Sequence, residues 1–250
     1  MTCWNRLPAT KECLPALLDL TRYPDWAVTV VEDCSTDGTR KWLVAEQRRR
    51  NRAKGKLSFD LILHDRQMGV NVSSNEAWAL REGWYCKVDN NLRVLTPDWL
   101  SELVRFALDL GPKIAGAVGY DVEPRHKAYP PFNANGRRAT DRTMGNIAGK
   151  CALVPEWTRR KLGFWNVNCG TPYRGGDFLY GLRVCMAKLK SLYLRLDGQV
   201  RRLSRAESGE TRARRTWRRN MKTACRPKKR LLAEMYCQGF LPLWDWWFPI

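Results

Sequence analysis

Residues 26–39 have the sequence WAVTVVEDCSTDGT. The first seven, Trp26 to Glu32, are mostly apolar or β-branched, which is typical of a buried strand. The polar run that follows contains Gly38 and predicts a turn, after which a helix should extend from about Thr39 to Arg49. A strand, a turn and a helix in this order predict an α/β fold with a parallel sheet.

The same alternation continues along the chain. The periodicity predicts strands at 57–64, 84–89, 114–120, 148–154 and 191–196, and helices at 74–82, 97–110, 155–162 and 177–189. Residues 121–146 are rich in Pro, Gly, Asn and Arg and lack periodicity, so we predict a long functional loop there. We expect one domain over residues 1–200 and an extension over 201–250.

The charge of the chain is concentrated in that extension. The formal net charge is +19, and residues 201–230 hold 13 Lys and Arg against only Glu207 and Glu210. Such a run binds nucleic acid or an anionic membrane surface, or is simply a solvated tail. A binding role and a solvated tail both stay open. The aromatic end, LPLWDWWFPI, is predicted to dock onto the domain, a partner or a membrane surface.

Cysteine usage and hydropathy limit the class of protein. The nine cysteines form no C-x-x-C pair and only two histidines accompany them, which argues against a zinc site or a disulfide scaffold. No stretch approaches the ~18 consecutive apolar residues of a membrane span, and no basic and apolar leader opens the chain. We therefore expect a cytoplasmic protein that is not integral to a membrane, although it could lie peripherally at one.

Three polar segments follow predicted strands or precede predicted helices. Ligands of α/β sheets bind outside the carboxyl ends of the strands, where Glu32-Asp33 and Asp89-Asn90-Asn91 are expected to lie. The third segment, Tyr173 to Asp177, places a carboxylate at the start of a helix. Each also has a structural alternative: a capping turn, an acidic loop and an N-cap aspartate, respectively.

Taken in order, these segments resemble the family-2 inverting glycosyltransferases of the GT-A fold, a Rossmann-like nucleotide-binding architecture, over roughly residues 2–197. Thr2–Arg6 (TCWNR) is similar to the family's T-x-Y-N-R turn, and Val30–Thr39 to its V-V-D-D-x-S-x-D-G-T segment. Val88–Asn91 is similar to the family's D-x-D strand end, and Thr96–Leu100 to its P-x-W-L helix. Leu162–Phe164 is similar to its G-x-F segment, and Gly175–Asp177 to its G-x-E-D segment, with Arg183 as the arginine on the following helix.

The resemblance implies a function and a site. A sugar would pass from a nucleoside diphosphate, with a UDP-sugar as the expected donor, to a hydroxyl of a glycan, lipid-linked or protein acceptor, with inversion. The residues implied are Thr2, Trp4, Arg6, Glu32, Asp33 and Asp89 for the nucleotide-sugar, Asp89 and Asn91 for Mn²⁺ or Mg²⁺, and Asp177 as general base. The identity of the sugar and of the acceptor stays open.

Departures from the family pattern affect the expected metal site and the first strand. Asn91 stands where the family has aspartate, and its neutral amide should weaken metal binding. Gly176 replaces a glutamate, and no histidine follows Leu196, where Asp197 could substitute as a third ligand. Met1 directly precedes Thr2, so the family's first strand is apparently missing; either the natural start lies upstream or the copy is marginally folded.

Two alternative functions remain. The chain could be a catalytically inactive GT-A-like binding module, which the Asn91 and Gly176 departures would favour. It could instead be a basic nucleic-acid-associated protein that contacts phosphates through residues 201–230 and stacks Trp217 on a base. A nucleotidyltransferase is disfavoured, because we find no Gly- and Lys-rich phosphate-binding loop.

Overall fold

The computed structural model describes residues 1–53, 55, 57–122, 131–141, 150–167, 176–195, 198–204, 206, 207 and 209. Its helices are α1 (Leu7–Leu20), α2 (Thr39–Arg52), α3 (Val70–Ala79), α4 (Trp99–Leu110), α5 (Glu156–Leu162) and α6 (Gly176–Met186). Its strands are β1 (Thr2–Cys3), β2 (Thr29–Glu32), β3 (Asp60–Leu63), β4 (Tyr85–Val88), β5 (Leu92–Val94), β6 (Ala115–Asp121), β7 (Pro131–Ala134), β8 (Arg137–Asp141), β9 (Cys151–Val154), β10 (Lys190–Arg195) and β11 (Val200–Arg202).

The strands form two main sheets that meet at a single bridge. One sheet has the order β1-β2-β3 and is entirely parallel, and the other has the order β4-β9-β6-β10-β8-β7. A parallel bridge between Thr2 and Asp89 joins β1 to the end of β4. Strand β9 runs antiparallel to β4 and β6, whereas β6 and β10 are parallel. The predicted α/β fold is confirmed, with one parallel and one mixed sheet flanked by helices.

The first strand is present, although it is only two residues long. Cys3 is fully buried, and β1 lies parallel to β2 with the Asp33 N–H donating to the Cys3 carbonyl at 2.8 Å. The Val31 N–H donates to the Met1 carbonyl at 2.9 Å, which extends the ladder by one residue. The expectation that this strand is missing is therefore corrected: Thr2 and Cys3 fill its place between the two sheets.

Helix α4 begins with a large side chain of the core. Trp99 is fully buried, and its indole N–H donates to the Thr21 hydroxyl at 2.9 Å. The Tyr120 hydroxyl on β6 donates to the Trp99 carbonyl at 2.8 Å, so the same residue links the helix to the sheet. The helix begins at Trp99, two residues later than predicted, and its N-cap position is Asp98.

Several regions differ from their predicted structure, and strands β5 and β11 were not predicted. Helix α1 was not predicted, because Pro15 interrupts a pattern whose buried positions include Cys13, Leu14 and Leu17. Within 121–146, predicted as a loop, β7 and β8 form a hairpin around Asn135 and Gly136, both at positive φ. Asn-Gly is a common hairpin turn, so this signal was available in the sequence. Residues 123–130 and 142–149 lie outside the described residues.

The predicted domain boundary at residue 200 stays a prediction. Strand β11 crosses it and pairs antiparallel with β5, with Val200 opposite Val94. Most of the basic extension, including all of 210–250, lies outside the described residues. Among the residues that are described, no helix combines the length and apolarity needed to cross a bilayer. The six described cysteines are free thiols.

Strand β6 depends on glycine where it passes β9 and β10. A Cβ on Gly119 would lie 2.2 Å from the Cys151 carbonyl oxygen and 2.4 Å from Tyr193 Cε1. We expect Gly119→Ala to lower the free energy of unfolding by about 3 kcal/mol, since a backbone carbonyl cannot move aside. The matched control, Ala117→Gly on the same strand, should cost only about 1 kcal/mol. Urea denaturation measures both, and equal losses would contradict this explanation.

Candidate functional site

The carboxyl ends of β1 and β2 are locked together by hydrogen bonds between their turns. The Asn5 N–H donates to the Ser35 hydroxyl at 2.8 Å, and the Thr36 N–H donates to Asn5 Oδ1 at 2.8 Å. Asn5 and Arg6 both adopt left-handed backbone conformations, with φ of 47° and 91°. Such conformations cost about 1–3 kcal/mol each unless their surroundings impose them. The turn is therefore held in a fixed shape.

Asp37 supplies most of that constraint. Its Oδ2 accepts from the backbone N–H groups of Arg6 and Leu7 at 2.6 and 2.9 Å, at the start of α1. Its Oδ1 accepts from the Thr39 N–H and hydroxyl, at the start of α2. Burial raises the pKa of Asp37, but these hydrogen bonds outweigh burial and leave the pKa below its ordinary value. One carboxylate thus positions two helices and the first strand end.

Glu32 and Asp33, both predicted to bind the nucleotide-sugar, are buried. Glu32 accepts from the Ser35 N–H at 2.6 Å and from the Arg40 guanidinium at 2.9 Å, and has no exposed surface. Asp33 is 2 % exposed and accepts from the N–H groups of Met68 and Gly69 at 2.7 and 2.9 Å. Both carboxylates therefore shape the loops after β2 and β3, and their predicted ligand contacts stay predictions.

His64 connects Asp33 to helix α3. Its Nδ1 lies 2.9 Å from Asp33 Oδ1, and its Nε2 lies 2.6 Å from Glu76 Oε2. When both nitrogens are protonated, the ring donates to both carboxylates. Burial alone would lower the pKa of His64, but these two partners outweigh burial and raise the pKa.

Asp89 follows β4 and lies beside the Thr2 bridge. Its side chain is 29 % exposed, and its Oδ1 lies 3.3 Å from Nζ of Lys87. Asn90 instead faces α1, where its amide donates to the Thr10 hydroxyl at 3.0 Å. Asn91 is buried, and its carbonyl accepts from the Leu203 N–H. Of the two predicted metal ligands, Asp89 is therefore accessible and Asn91 is not.

Cations surround Asp89. Burial raises the pKa of Asp89, but the positive charges of Lys87, Arg6 and Lys150 outweigh burial and hold the pKa below its ordinary value. Burial lowers the pKa of Lys87, but Asp89 and Asp177 outweigh that effect and raise it, so Lys87 is an ammonium. Because Lys87 interacts with both acids, the structure brings Asp89 and Asp177 to the same site.

The residues described here do not fit a divalent cation held by the protein alone. Asp89 brings one negative charge, Asn91 brings none, and Lys87 already pairs with Asp89. Within the described ranges, no group of three or more His, Cys, Asp or Glu side chains is arranged to hold a metal ion. Asp197, the predicted third ligand, lies outside them. Hard divalent cations favour sites with several anionic oxygens, and this site has the opposite balance.

Helix α6 begins against α3. A Cβ on Gly176 would lie 2.2 Å from Oδ1 of Asn71, so a larger residue at this position requires the Asn71 side chain to move. The next residue, Asp177, lies in the first turn of α6, where the helix dipole stabilises a carboxylate. Residues 168–175, which contain Tyr173–Gly175 of the predicted motif, are not among those described.

Residues 164–166 are held by hydrogen bonds from α3 on one side and from α6 on the other. The Asn75 amide donates to the Trp165 carbonyl at 2.8 Å, and the Trp165 N–H donates back to Asn75 at 2.9 Å. Arg183 of α6 donates to the Phe164 carbonyl at 2.8 Å and to the Asn166 side chain at 3.1 Å. The predicted G-x-F segment and the arginine on the following helix therefore meet in the fold.

The turn after β1 completes this edge of the sheet. Thr2, Trp4 and Arg6 are all half-buried. Together with Asp89 and Asp177, they place five of the eight predicted site residues around one sheet edge. The sequence analysis missed Lys87, since a single lysine in a strand forms no motif, although its i, i+2 spacing from Asp89 places both on one face. It also missed Asp37, His64 and Asn71.

Comparison with known families finds one match. The family model described as "Glycosyl transferase family 2" matches residues 1–156. No curated protein matches the chain significantly.

Several solved structures share the fold. A mannosyltransferase from Pyrobaculum calidifontis in complex with GDP-Man and Mn²⁺ has a TM-score of 0.60 at 19% identity, over 87% of this chain and 58% of that one. GalNAc-T7 with UDP, GalNAc and Mn²⁺ has a TM-score of 0.57 at 10% identity, over 77% and 40%. S. aureus TarS has a TM-score of 0.54 at 14% identity, over 82% and 36%. The chain thus spans from about a third to just over half the length of these proteins.

The His64 contacts predict a pH-dependent stability. A histidine whose pKa is raised on folding stabilises the protein fully below its ordinary pKa of 6.5 and loses that contribution as the pH rises through the folded pKa. We expect the wild type to lose this contribution to the free energy of unfolding above pH 6.5, and His64→Gln not to. Urea denaturation between pH 6 and 9 measures the difference.

The comparison with His64→Gln is needed because the buried amino group of Met1, whose pKa burial lowers, also makes the stability depend on pH. Glu76→Gln removes one of the two carboxylate partners and should give an intermediate slope. Parallel pH profiles for the wild type and His64→Gln would contradict the assignment.

Proposed function

Because the chain belongs to glycosyl transferase family 2, we propose that it transfers a sugar from a nucleoside-diphosphate donor to an acceptor hydroxyl, with inversion at the anomeric carbon. The observation that carries this proposal is the ion pair between Lys87 and Asp89 at the carboxyl end of β4, together with the electrostatic interaction of Lys87 with Asp177. Ligands of open α/β sheets bind at this edge. The site thus has a cation for a diphosphate and a carboxylate for a hydroxyl proton.

The donor's nucleoside would lie against the turn after β1. Trp4 has the flat surface that stacks on a base, Thr2 has a hydroxyl for the ribose, and Arg6 has a charge for the phosphates. Asp33 and Glu32, which we predicted in the same group, would act from beneath this surface, where they hold the loops. The P. calidifontis and GalNAc-T7 structures contain GDP-Man and UDP, and we propose a UDP-sugar as the donor here.

In the reaction, the carboxylate of Asp177 takes the proton of the acceptor hydroxyl. The hydroxyl oxygen attacks the anomeric carbon from the face opposite the diphosphate, and a new C–O bond forms. The bond to the diphosphate breaks, and its electron pair stays on the β-phosphate oxygen. The configuration of the anomeric carbon is inverted because attack and departure occur on opposite faces.

A divalent cation is not part of the proposed step. Mn²⁺ is present in two structures of similar fold, and the resemblance assigns Mn²⁺ or Mg²⁺ to Asp89 and Asn91. The donor set of this chain does not fit a resident divalent cation, so the step above uses only its own residues. The assay below therefore compares reactions with and without Mn²⁺.

For the acceptor and the cellular location, we propose only a class of molecule and a compartment. A glycan, a lipid-linked sugar and a protein hydroxyl all meet the chemical requirement for an acceptor. We propose that residues 201–230 recruit an anionic partner, either a membrane surface carrying the acceptor or a nucleic acid. A cytoplasmic protein at the periphery of a membrane accords with this.

Asp177→Asn tests the catalytic assignment. An amide cannot accept the hydroxyl proton, so nucleotide release from the active sugar among UDP-, GDP- and dTDP-sugars should fall by ~10²–10⁴-fold, while nucleotide affinity is kept. The assay measures nucleotide release with and without Mn²⁺, and calorimetry measures nucleotide binding.

The matched control is Asp25→Asn, the same change at an exposed position before β2, at the opposite edge of the sheet. It should retain wild-type turnover. Wild-type turnover in Asp177→Asn would contradict the role of this residue. Nucleotide binding by the wild type without turnover on any donor would favour the inactive binding module.

A further inference from the structure

Lys87 is an unusual residue for its position. It lies on β4, is 5 % exposed, and its Nζ is 3.3 Å from Asp89 Oδ1. Burying a lysine is costly unless its charge is paired, and apolar residues fill most such positions. The ammonium also interacts electrostatically with Asp177, the second acid of the proposed site.

The charges around Asp89 suit an anion better than a second cation. Lys87, Arg6 and Lys150 are close enough to Asp89 to stabilise its carboxylate electrostatically. Mg²⁺ at phosphate sites is held by one or two carboxylates together with the phosphate oxygens, whereas here the carboxylate of Asp89 is already paired with Lys87. Because three cations accompany two carboxylates, the net charge repels a divalent cation and attracts a diphosphate.

We propose that the Lys87 ammonium binds the diphosphate of the donor directly and takes the place of a divalent cation, so that nucleoside diphosphates bind this chain without metal. The inference deepens the proposed function and rests on it. When the anomeric C–O bond breaks, the electron pair stays on the β-phosphate oxygen and Lys87 neutralises the new charge without transferring a proton. Asp89 then holds Lys87 in place, and Arg6 adds a second cation at the same edge.

Calorimetric titration of the full chain with UDP and GDP, in EDTA and in Mn²⁺, tests the proposal. We expect the better of the two nucleotides to bind in EDTA, and its affinity to change by less than about threefold with Mn²⁺. Lys87→Met removes the charge but keeps the aliphatic packing. It should weaken binding in EDTA by about tenfold or more, the usual effect of losing a hydrogen bond to a charged group.

Two controls separate a role in binding from a role in folding. Lys41→Met removes an exposed lysine of α2 and should leave binding unchanged. Lys87→Met also releases Asp89, so Mn²⁺ should bind its nucleotide complex more tightly than that of the wild type, as followed by the paramagnetic resonance of free Mn²⁺. If Lys87→Met does not fold, the wild-type titrations in EDTA and Mn²⁺ still test the proposal.

Three results would overturn the inference. Wild-type binding that strengthens tenfold or more with Mn²⁺ would show that a metal is needed. Equal binding by the wild type and Lys87→Met in EDTA would place the nucleotide elsewhere, such as on the basic extension. Absence of UDP or GDP binding under every condition would reject the proposed function itself, and the inference with it.

Discussion

The structure depends on two residues, Thr2 and Cys3, that lie between the two sheets. Cys3 and Met1 accept hydrogen bonds from β2 on one side, and the bridge from Thr2 to Asp89 lies on the other. A strand in this place keeps both neighbouring edges from exposing unpaired backbone groups. It also sets the register of the site, because the ends of β1, β2 and β4 meet at this edge.

The acidic residues of the site divide into two groups by their partners. Glu32, Asp33 and Asp37 are bound by backbone N–H groups or by nearby side chains, and these hydrogen bonds compensate for their burial. Asp89 instead pairs with the ammonium of Lys87, and Asp177 interacts with the same charge electrostatically. The first group keeps the loops in shape, and the second is where chemistry can occur. An apparent excess of acidic residues in a sequence motif therefore need not mean an excess of metal ligands.

Much of the fold could be predicted from the sequence because its signals are local. The strand ending at Glu32 and the stripe of α4 need only the spacing of apolar residues. Helix α1 was missed because Pro15 interrupts its pattern, and the β7–β8 hairpin was missed because residues 121–146 lack periodicity on either side of the Asn135-Gly136 turn. For the site, Asp89 and Asp177 follow from strand and helix ends. The charge balance at Asp89 does not, since Lys87, Arg6 and Lys150 come together only through the sheet order.

The contact between Gly176 and Asn71 couples two positions that are far apart in the sequence. A glutamate at 176, the residue of the family pattern, would require the Asn71 side chain to move, because Asn71 Oδ1 lies 2.2 Å from the position of a Cβ. The energetic cost of a side chain at 176 therefore depends on which residue stands at 71. Substitutions at these two positions should be treated as a pair rather than as independent changes.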